Sequence, residues 1–324
     1  MLAYFSKLSV TALLNACPGG VAQGLIWGIM ALGVYLTFRM LDLADLTVDG
    51  SFATGGAVCI MLVLHGVNPE IALIVSFIAG LLAGLITGFL HTTLGIPAIL
   101  AGILTQISLY SINLNIMGKA NQSVNINQVT FYFTSNARVL FRTIGLTAVV
   151  CAAIIGILYW YLGTEQGSAL RATGTNGNMS RAQGINTNMM KVLGLALSNG
   201  LVALSGGILS QYQGFADVNM GRGAIVIGLA AVIIGEVLGE ALFSKGMQMW
   251  MRLTFVALGG VAYYIVYVFV LWLKFPADDM KLLTAIVVAL FLAVPYLKNK
   301  SANSFGKAAK TSEAALTAVK KEEN

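Results

Sequence analysis

Long apolar runs alternate along the chain with short polar breaks. The clear runs cover about Gly20–Phe38, Ile71–Leu90, Ile144–Leu162, Val192–Leu209, Ala224–Leu238, Met249–Leu273 and Leu282–Leu297. A bilayer-crossing helix needs roughly 17–25 mostly apolar residues, and these runs approach or reach that length. Two more segments, Ser51–Leu64 and Ile96–Asn113, are shorter or more polar. The pattern predicts an all-α polytopic membrane protein with about 8–10 transmembrane helices, including broken or re-entrant segments. Residues 20–297 read as one membrane domain, with an amphipathic lead-in over 1–19 and a polar tail over 298–324.

Composition agrees with this pattern. Of the 324 residues, 57% are hydrophobic and 10% charged, with a mean hydropathy of +0.82. Soluble domains carry about 25% charged residues, so this chain could not cover its own surface in water. The 36 glycines fit too, because small residues let membrane helices approach closely. Cys17, Cys59 and Cys151 lie far apart and show neither metal spacing nor a disulfide framework. Leu14-Asn15-Ala16-Cys17 loosely resembles a lipoprotein cleavage box. The stretch before it is short and broken by Ser9 and Thr11, which favours an interfacial lead-in helix.

The formal net charge is +6, and its location matters more than its size. Lys298, Lys300, Lys307, Lys310, Lys320 and Lys321 follow the last apolar run. That is the pattern of a cytoplasmic tail under the positive-inside rule, and no nucleic-acid partner is implied. The polar stretch Gly163–Lys191, with Arg171, Arg181 and Lys191, is expected on the same side. An even number of spans separates it from the tail, so the two placements agree. The expected location is the bacterial inner membrane, multi-pass, with a cytoplasmic C-terminus. The side of the N-terminus stays open, because one early segment could be re-entrant.

The Gly163–Lys191 stretch is the most informative. Asn178 or Ser180 is suited to cap a short helix ending at Gly184. A short surface helix has little to bury by itself and suits a groove on a soluble partner. Arg171-Ala-Thr-Gly174, Asn176-Gly-Asn178, Arg181 and Ala182-Gln-Gly184-Ile-Asn186 resemble the coupling loop of branched-chain amino acid-type ABC permeases. Leu41-Asp42-Leu-Ala-Asp45-Leu-Thr47-Val-Asp49-Gly50 through Thr54-Gly55 is similar to the motif that opens an early broken helix in that family. Gly95-Ile-Pro97 through Thr105, then Tyr110–Asn113 and Ile116-Met-Gly118, resembles the branch described as tryptophan/tyrosine or unassigned transport permeases. The likeness covers roughly residues 20–296. It implies a homodimer, a separate ATP-binding subunit docked on Arg171, Gly174, Asn176, Asn178, Arg181 and Gly184, and an extracytoplasmic solute-binding protein. ATP would bind the partner, and this chain itself would hold no cofactor. An ordinary connecting loop is the bland alternative.

The acids carry a physical argument of their own. Asp42, Asp45 and Asp49 crowd between two apolar runs, with Gly50, Gly55 and Gly56 close behind. A carboxylate at membrane depth costs a few kcal/mol, so such groups face protein or water. A broken helix there offers free backbone dipoles to a polar solute. Either the aspartates cap helix starts, with Asp49 placed to cap the Ser51 helix, or they contact solute. Thr54, Gln106 and Asn113 join them as candidates for the translocation path. Asp217–Gly223 precedes Ala224 much as Asp45–Gly50 precedes Ser51, which is what an internal transporter repeat would leave. Glu236 and Glu240, near Lys245, are expected at the cytoplasmic end of their span, and His65 and His91 are expected to be solvated. Tyr110, Tyr212, Tyr263, Tyr264 and Tyr267 suit either an aromatic ligand or the membrane interface.

The sequence has no phosphate-loop motif for ATP, and no Ser/His/Asp, Cys/His or metal-ligand set can be assembled. The chain is therefore expected to be a non-catalytic permease subunit for a small polar solute, with an aromatic amino acid one candidate. An ion-coupled secondary transporter, with the aspartates as ion ligands, is the alternative.

Overall fold

A computed structural model describes residues 10–124, 133, 140–243 and 247–273, together with Leu282, Ile286, Ala289 and Ala293. The chain divides into two compact units, Met1–Phe275 and Pro276–Asn324. In the second unit the four described residues are helical. Most of the expected span Leu282–Leu297, the tail after Lys298, and Lys245 lie outside the described residues.

The first unit is helical. α1 (Val10–Tyr35) ends in a π-turn over Leu36–Met40, and α2 (Val48–Leu64), α3 (Pro69–Thr92) and α4 (Ala98–Met117) follow. β1 (Asn121–Ser123) leads to α5 (Leu140–Gly163), the short α6 (Glu165–Thr175) and α7 (Gly177–Ala182), and the long α8 (Thr187–Gln213). β2 (Phe215–Asp217), α9 (Ala224–Leu242) and α10 (Met249–Trp272) complete it. Seven of these helices are long and apolar enough to cross a membrane, and α2 is a shorter apolar helix. The expected lead-in differs in one respect. From Val10 onward its residues are the first turns of α1, which runs on through Pro18 without a break. Among the described residues the strands form a two-stranded antiparallel ribbon pairing Asn121 with Asp217 and Ser123 with Phe215.

α8 lies at the centre and packs on α1, α2 and α3. Its 27 residues span about 40 Å. The packing is backbone on backbone. A side chain at Gly55 would strike the carbonyl of Ala203, and one at Gly206 the carbonyl of Phe52, so α2 and α8 touch directly. On α3, Gly80, Gly84 and Gly88 recur every fourth residue against Asn199, Leu195 and Val192 of α8. Lipid tails are as apolar as leucine, so close packing and interhelical hydrogen bonds must hold such helices together. Hydroxyls on α8 add the second element. Ser198 Oγ donates to the Gly33 carbonyl and Ser205 Oγ to the Ile26 carbonyl, both at 2.7 Å. The bulky contribution comes from Trp27, stacked on Phe52 at 4.8 Å and on Tyr264 at 5.8 Å.

Gly206→Val should therefore force α2 and α8 apart and cost about 1–3 kcal/mol or more. Gly145→Ala, where an added Cβ meets nothing within 4 Å, should be neutral. Thermal unfolding of the detergent-solubilised variants checks this pair.

Candidate functional site

The three aspartates part company in the fold. Asp42 is exposed, with a left-handed φ of 53° at the turn that follows α1, a conformation that Asp tolerates better than most residues. Asp45 is buried. Its Oδ1 accepts from the Thr47 backbone N–H at 2.9 Å, and its Oδ2 accepts from Asn199 Nδ2 at 2.6 Å. Ser51 Oγ donates to Asn199 Oδ1 at 2.6 Å, so one asparagine joins both sides of the α2 start. Asn199 stands near the middle of α8, which places the beginning of α2 beside the centre of the bundle instead of at its edge. Three hydroxyls extend the network in a line. Thr47 lies 2.8 Å from Thr87 on α3, which donates to Thr105 on α4 at 2.9 Å. Thr54 is buried and back-bonds to the Gly50 carbonyl, a role internal to α2.

Asp49 does cap a helix, but not its own. α2 begins one residue before it, with Thr47 at the cap position. The Asp49 carboxylate instead reaches across the fold, accepting from the backbone N–H groups of Gly223 and Ile225, each at 2.9 Å. Those are the free donors at the start of α9, where a negative charge also meets the positive end of the helix dipole. The two polar, glycine-rich helix starts therefore meet at Asp49. From that point α2 runs toward the ribbon, where Ala57, Ile60 and Val63 pack with Ala216 and Val218. α9 runs the other way, and its Glu236 pairs with Arg39 at the end of α1 at 2.9 Å.

Beside the junction is a cavity of about 210 Å³, lined by Asp49, Gln106, Ile107, Tyr110, Asn113 and Arg222 among others. Three of the six residues expected on a path, Asp49, Gln106 and Asn113, are thus brought together, and Asp42, Asp45 and Thr54 are not. Asn113 is fully buried, yet neither its Oδ1 nor its Nδ2 has a hydrogen-bond partner. The aromatic residues divide as well. Tyr263 and Tyr264 are buried in the cluster around Trp27, and Tyr212 is buried too, so these three sit in protein instead of at an interface. Tyr110 lines the cavity. His65 is exposed, but His91 is half-buried and bonded to the Ile96 carbonyl at 2.8 Å, which ties the α3–α4 turn.

At the far end of the bundle the polar stretch folds as two short helices. Thr164 caps α6, and Asn176 caps α7 by accepting from the Met179 N–H at 3.0 Å. The cap is therefore Asn176, not Asn178 or Ser180, because α7 starts at Gly177 and leaves both of those inside the helix. Asn178 is exposed. Gly184, at φ 82°, turns the chain into α8. Gly174 lies against the Met40 carbonyl at the end of α1, where any side chain would collide. Arg171 Nη2 donates to Ser168 at 3.3 Å, and Arg181 Nε donates to Thr187 at 2.9 Å, turning it toward the start of α8. Met179 and Met189 are 61% and 53% exposed. Met179 lies on α7 and Met189 in the first turn of α8.

The arrangement is a polar, discontinuous pair of helices beside a cavity, with a surface helix pair seated on the same bundle. Residues 18–300 match the family described as branched-chain amino acid transport system / permease component. The chain belongs to this family. It is 38% identical over 280 residues to the tyrosine transport system permease protein of Clostridioides difficile (strain R20291), covering 84% of this chain and 89% of that one. An uncharacterised protein of Rickettsia prowazekii (strain Madrid E) is 31% identical over 191 residues, 59% of this chain and 66% of that one. In fold, the permease is similar to PsaBC from Streptococcus pneumoniae, solved in complex with Fab. The TM-score is 0.50 at 16% identity, over 90% of this chain and 94% of that one. Family and fold together identify a multi-pass transport permease.

Asn199 escaped the sequence reading, although a carboxamide inside an otherwise apolar span was a visible signal. Arg222 was read only as part of a helix start, and nothing in the sequence ties it to Asn113. Because Asp49 accepts two N–H bonds through two oxygens, Asp49→Asn should keep only one of them and cost about 1 kcal/mol. Asp49→Leu loses both bonds and the charge and should cost roughly twice that. Thermal unfolding orders the series; equal stability of all three proteins would remove Asp49 as the cap of α9.

Proposed function

We propose that this chain is the membrane-spanning subunit of a bacterial ABC importer, working as a homodimer in the inner membrane and carrying a small polar solute, an aromatic amino acid. A separate ATP-binding subunit docks on α6 and α7, and a solute-binding protein delivers cargo to the opposite face. The observation that carries this reading is the helix pair itself. It is polar and capped, it exposes Met179, with Met189 exposed in the first turn of α8 that follows, and it rests through Gly174 on the end of α1. Flexible methionines suit a surface that takes up a partner. Charge supports the cytoplasmic side. Arg39, Arg171, Arg181, Lys191 and Arg252 all belong to segments at this end.

The tyrosine transport name of the Clostridioides difficile relative supports the aromatic amino acid. An ion-coupled transporter finds less support. Asp45, the buried carboxylate, already accepts hydrogen bonds from Thr47 and Asn199 and lines no part of the cavity. The geometry supports a route for motion in the importer. Closure of the ATPase pair pushes on α6 and α7, and α6 bears on Met40, five residues before Asp45.

Replacing Gly174–Ser180 with a flexible linker should leave membrane insertion intact and abolish both uptake and stimulation of the ATPase. Co-purification and ATPase assays of the reconstituted complex check it, and undiminished coupling would sink the docking assignment. A cysteine at Ser312 in a Cys-free background should react with impermeant thiol reagents in inverted vesicles but not in intact cells.

A further inference from the structure

We propose that the cavity at the α2–α9 junction grips an α-amino acid zwitterion, with the solute carboxylate on Arg222 and its ammonium turned toward Asp49. This rests on the importer reading and adds the chemistry of its cargo site. The charges are the first argument. Among the described residues the Arg222 side chain has no hydrogen bond or ion pair, yet it lines the same cavity as Asp49. An exposed, unpaired cation and a half-buried carboxylate lining one cavity match the two charges of a zwitterion. A guanidinium fits a carboxylate through two parallel N–H bonds. Each Asp49 oxygen has spent one acceptor position on α9 and keeps another for an ammonium.

The second argument is independent of charge. Asn113 is 0% exposed with both amide atoms unpartnered, and it faces this cavity. A buried carboxamide without partners is costly, so something bound there is expected to complete it. The α4 residues Gln106, Ile107, Tyr110 and Asn113 line two helical turns, about 10 Å. Asp49 lies beside the Gln106 end of this row, next to Gly50, and the Asn113 carboxamide is at the other, with Tyr110 between them in sequence. A long side chain carrying a flat, apolar middle and a polar tip fills such a row. Tyrosine has that form.

The test uses the complete transporter complex in lipid nanodiscs and ligand-observed saturation-transfer NMR. Three probes separate the contacts: L-tyrosine, tyramine, which lacks the carboxylate, and 3-(4-hydroxyphenyl)propionate, which lacks the amine. L-Tyrosine should bind best. Arg222→Gln should weaken L-tyrosine and the propionate about tenfold while leaving tyramine unchanged. Asn113→Leu should weaken all three, yet unfold at the parent temperature or above it, because it removes an unsatisfied buried amide. A purely structural Asn113 would give the reverse: lower stability with binding intact. Equal binding of the three probes to the parent, no binding of any, or an Arg222→Gln protein that matches the parent overturns the assignment. ATPase stimulation in the same nanodiscs separates the two levels. If coupling persists while the probe pattern fails, only the cavity chemistry falls; if no ATPase couples at all, the importer reading falls with it.

Discussion

One carboxylate joins the starts of two helices, α2 and α9. Asp49 sits in the first turn of α2 and accepts the free backbone donors at the start of α9, so the buried start of α2 meets the partly exposed start of α9. A helix start away from water needs its N–H groups satisfied, and lipid offers nothing to do it. Asp49 answers two donors at the start of α9, and Asp45 accepts from the N–H of Thr47, the residue before α2. Once that junction is fixed, a cavity lined from α2, α4 and the α9 start follows from it.

The remaining helices are arranged to let the junction exist at the centre. Glycines at Gly55, Gly206, Gly80, Gly84 and Gly88 bring α2 and α3 onto the α8 backbone. That close approach carries Asn199 within reach of Asp45 and Ser51. Without it the carboxamide would lie too far to bridge them, and a buried carboxylate would be left with a single partner. Dense glycine packing and the polar network are therefore one device. The first supplies proximity and the second supplies the directional bonds that an apolar solvent makes worthwhile.

A physical line also joins the surface helices to the junction. Gly174 bears on Met40, and Leu41 packs on Gly194 of α8 beside Leu170 of α6. Four residues after Leu41 the chain reaches Asp45, which is bonded to Asn199 of α8. Displacement of α6 is thus received by the short, irregular segment between α1 and α2, which the π-turn and the left-handed Asp42 already make non-ideal. Segments of this kind absorb changes in φ and ψ more readily than a packed helix does.

By itself the sequence determined the solvent, the class of fold and the approximate positions of the apolar helices, because these follow from run length and charge content. It also marked both glycine-rich helix starts and the capped polar stretch, since Asp, Asn and Gly at such places report local backbone needs. The abundance of glycine was legible too, but not that Gly80, Gly84 and Gly88 would meet α8. It could not say which helix Asp49 caps. A carboxylate's partner 174 residues away is chosen by packing, not by neighbours in the chain. Nor could it say which faces are inward, because lipid and protein core are both apolar and leave no periodic contrast along a span. Only the tertiary structure put the end of α1 beside α6, and so the start of α1 at the opposite end of the bundle. Only the tertiary structure brought Asp49, Asn113 and Arg222 to one cavity, because their contact depends on three helices meeting at a depth that no local pattern encodes.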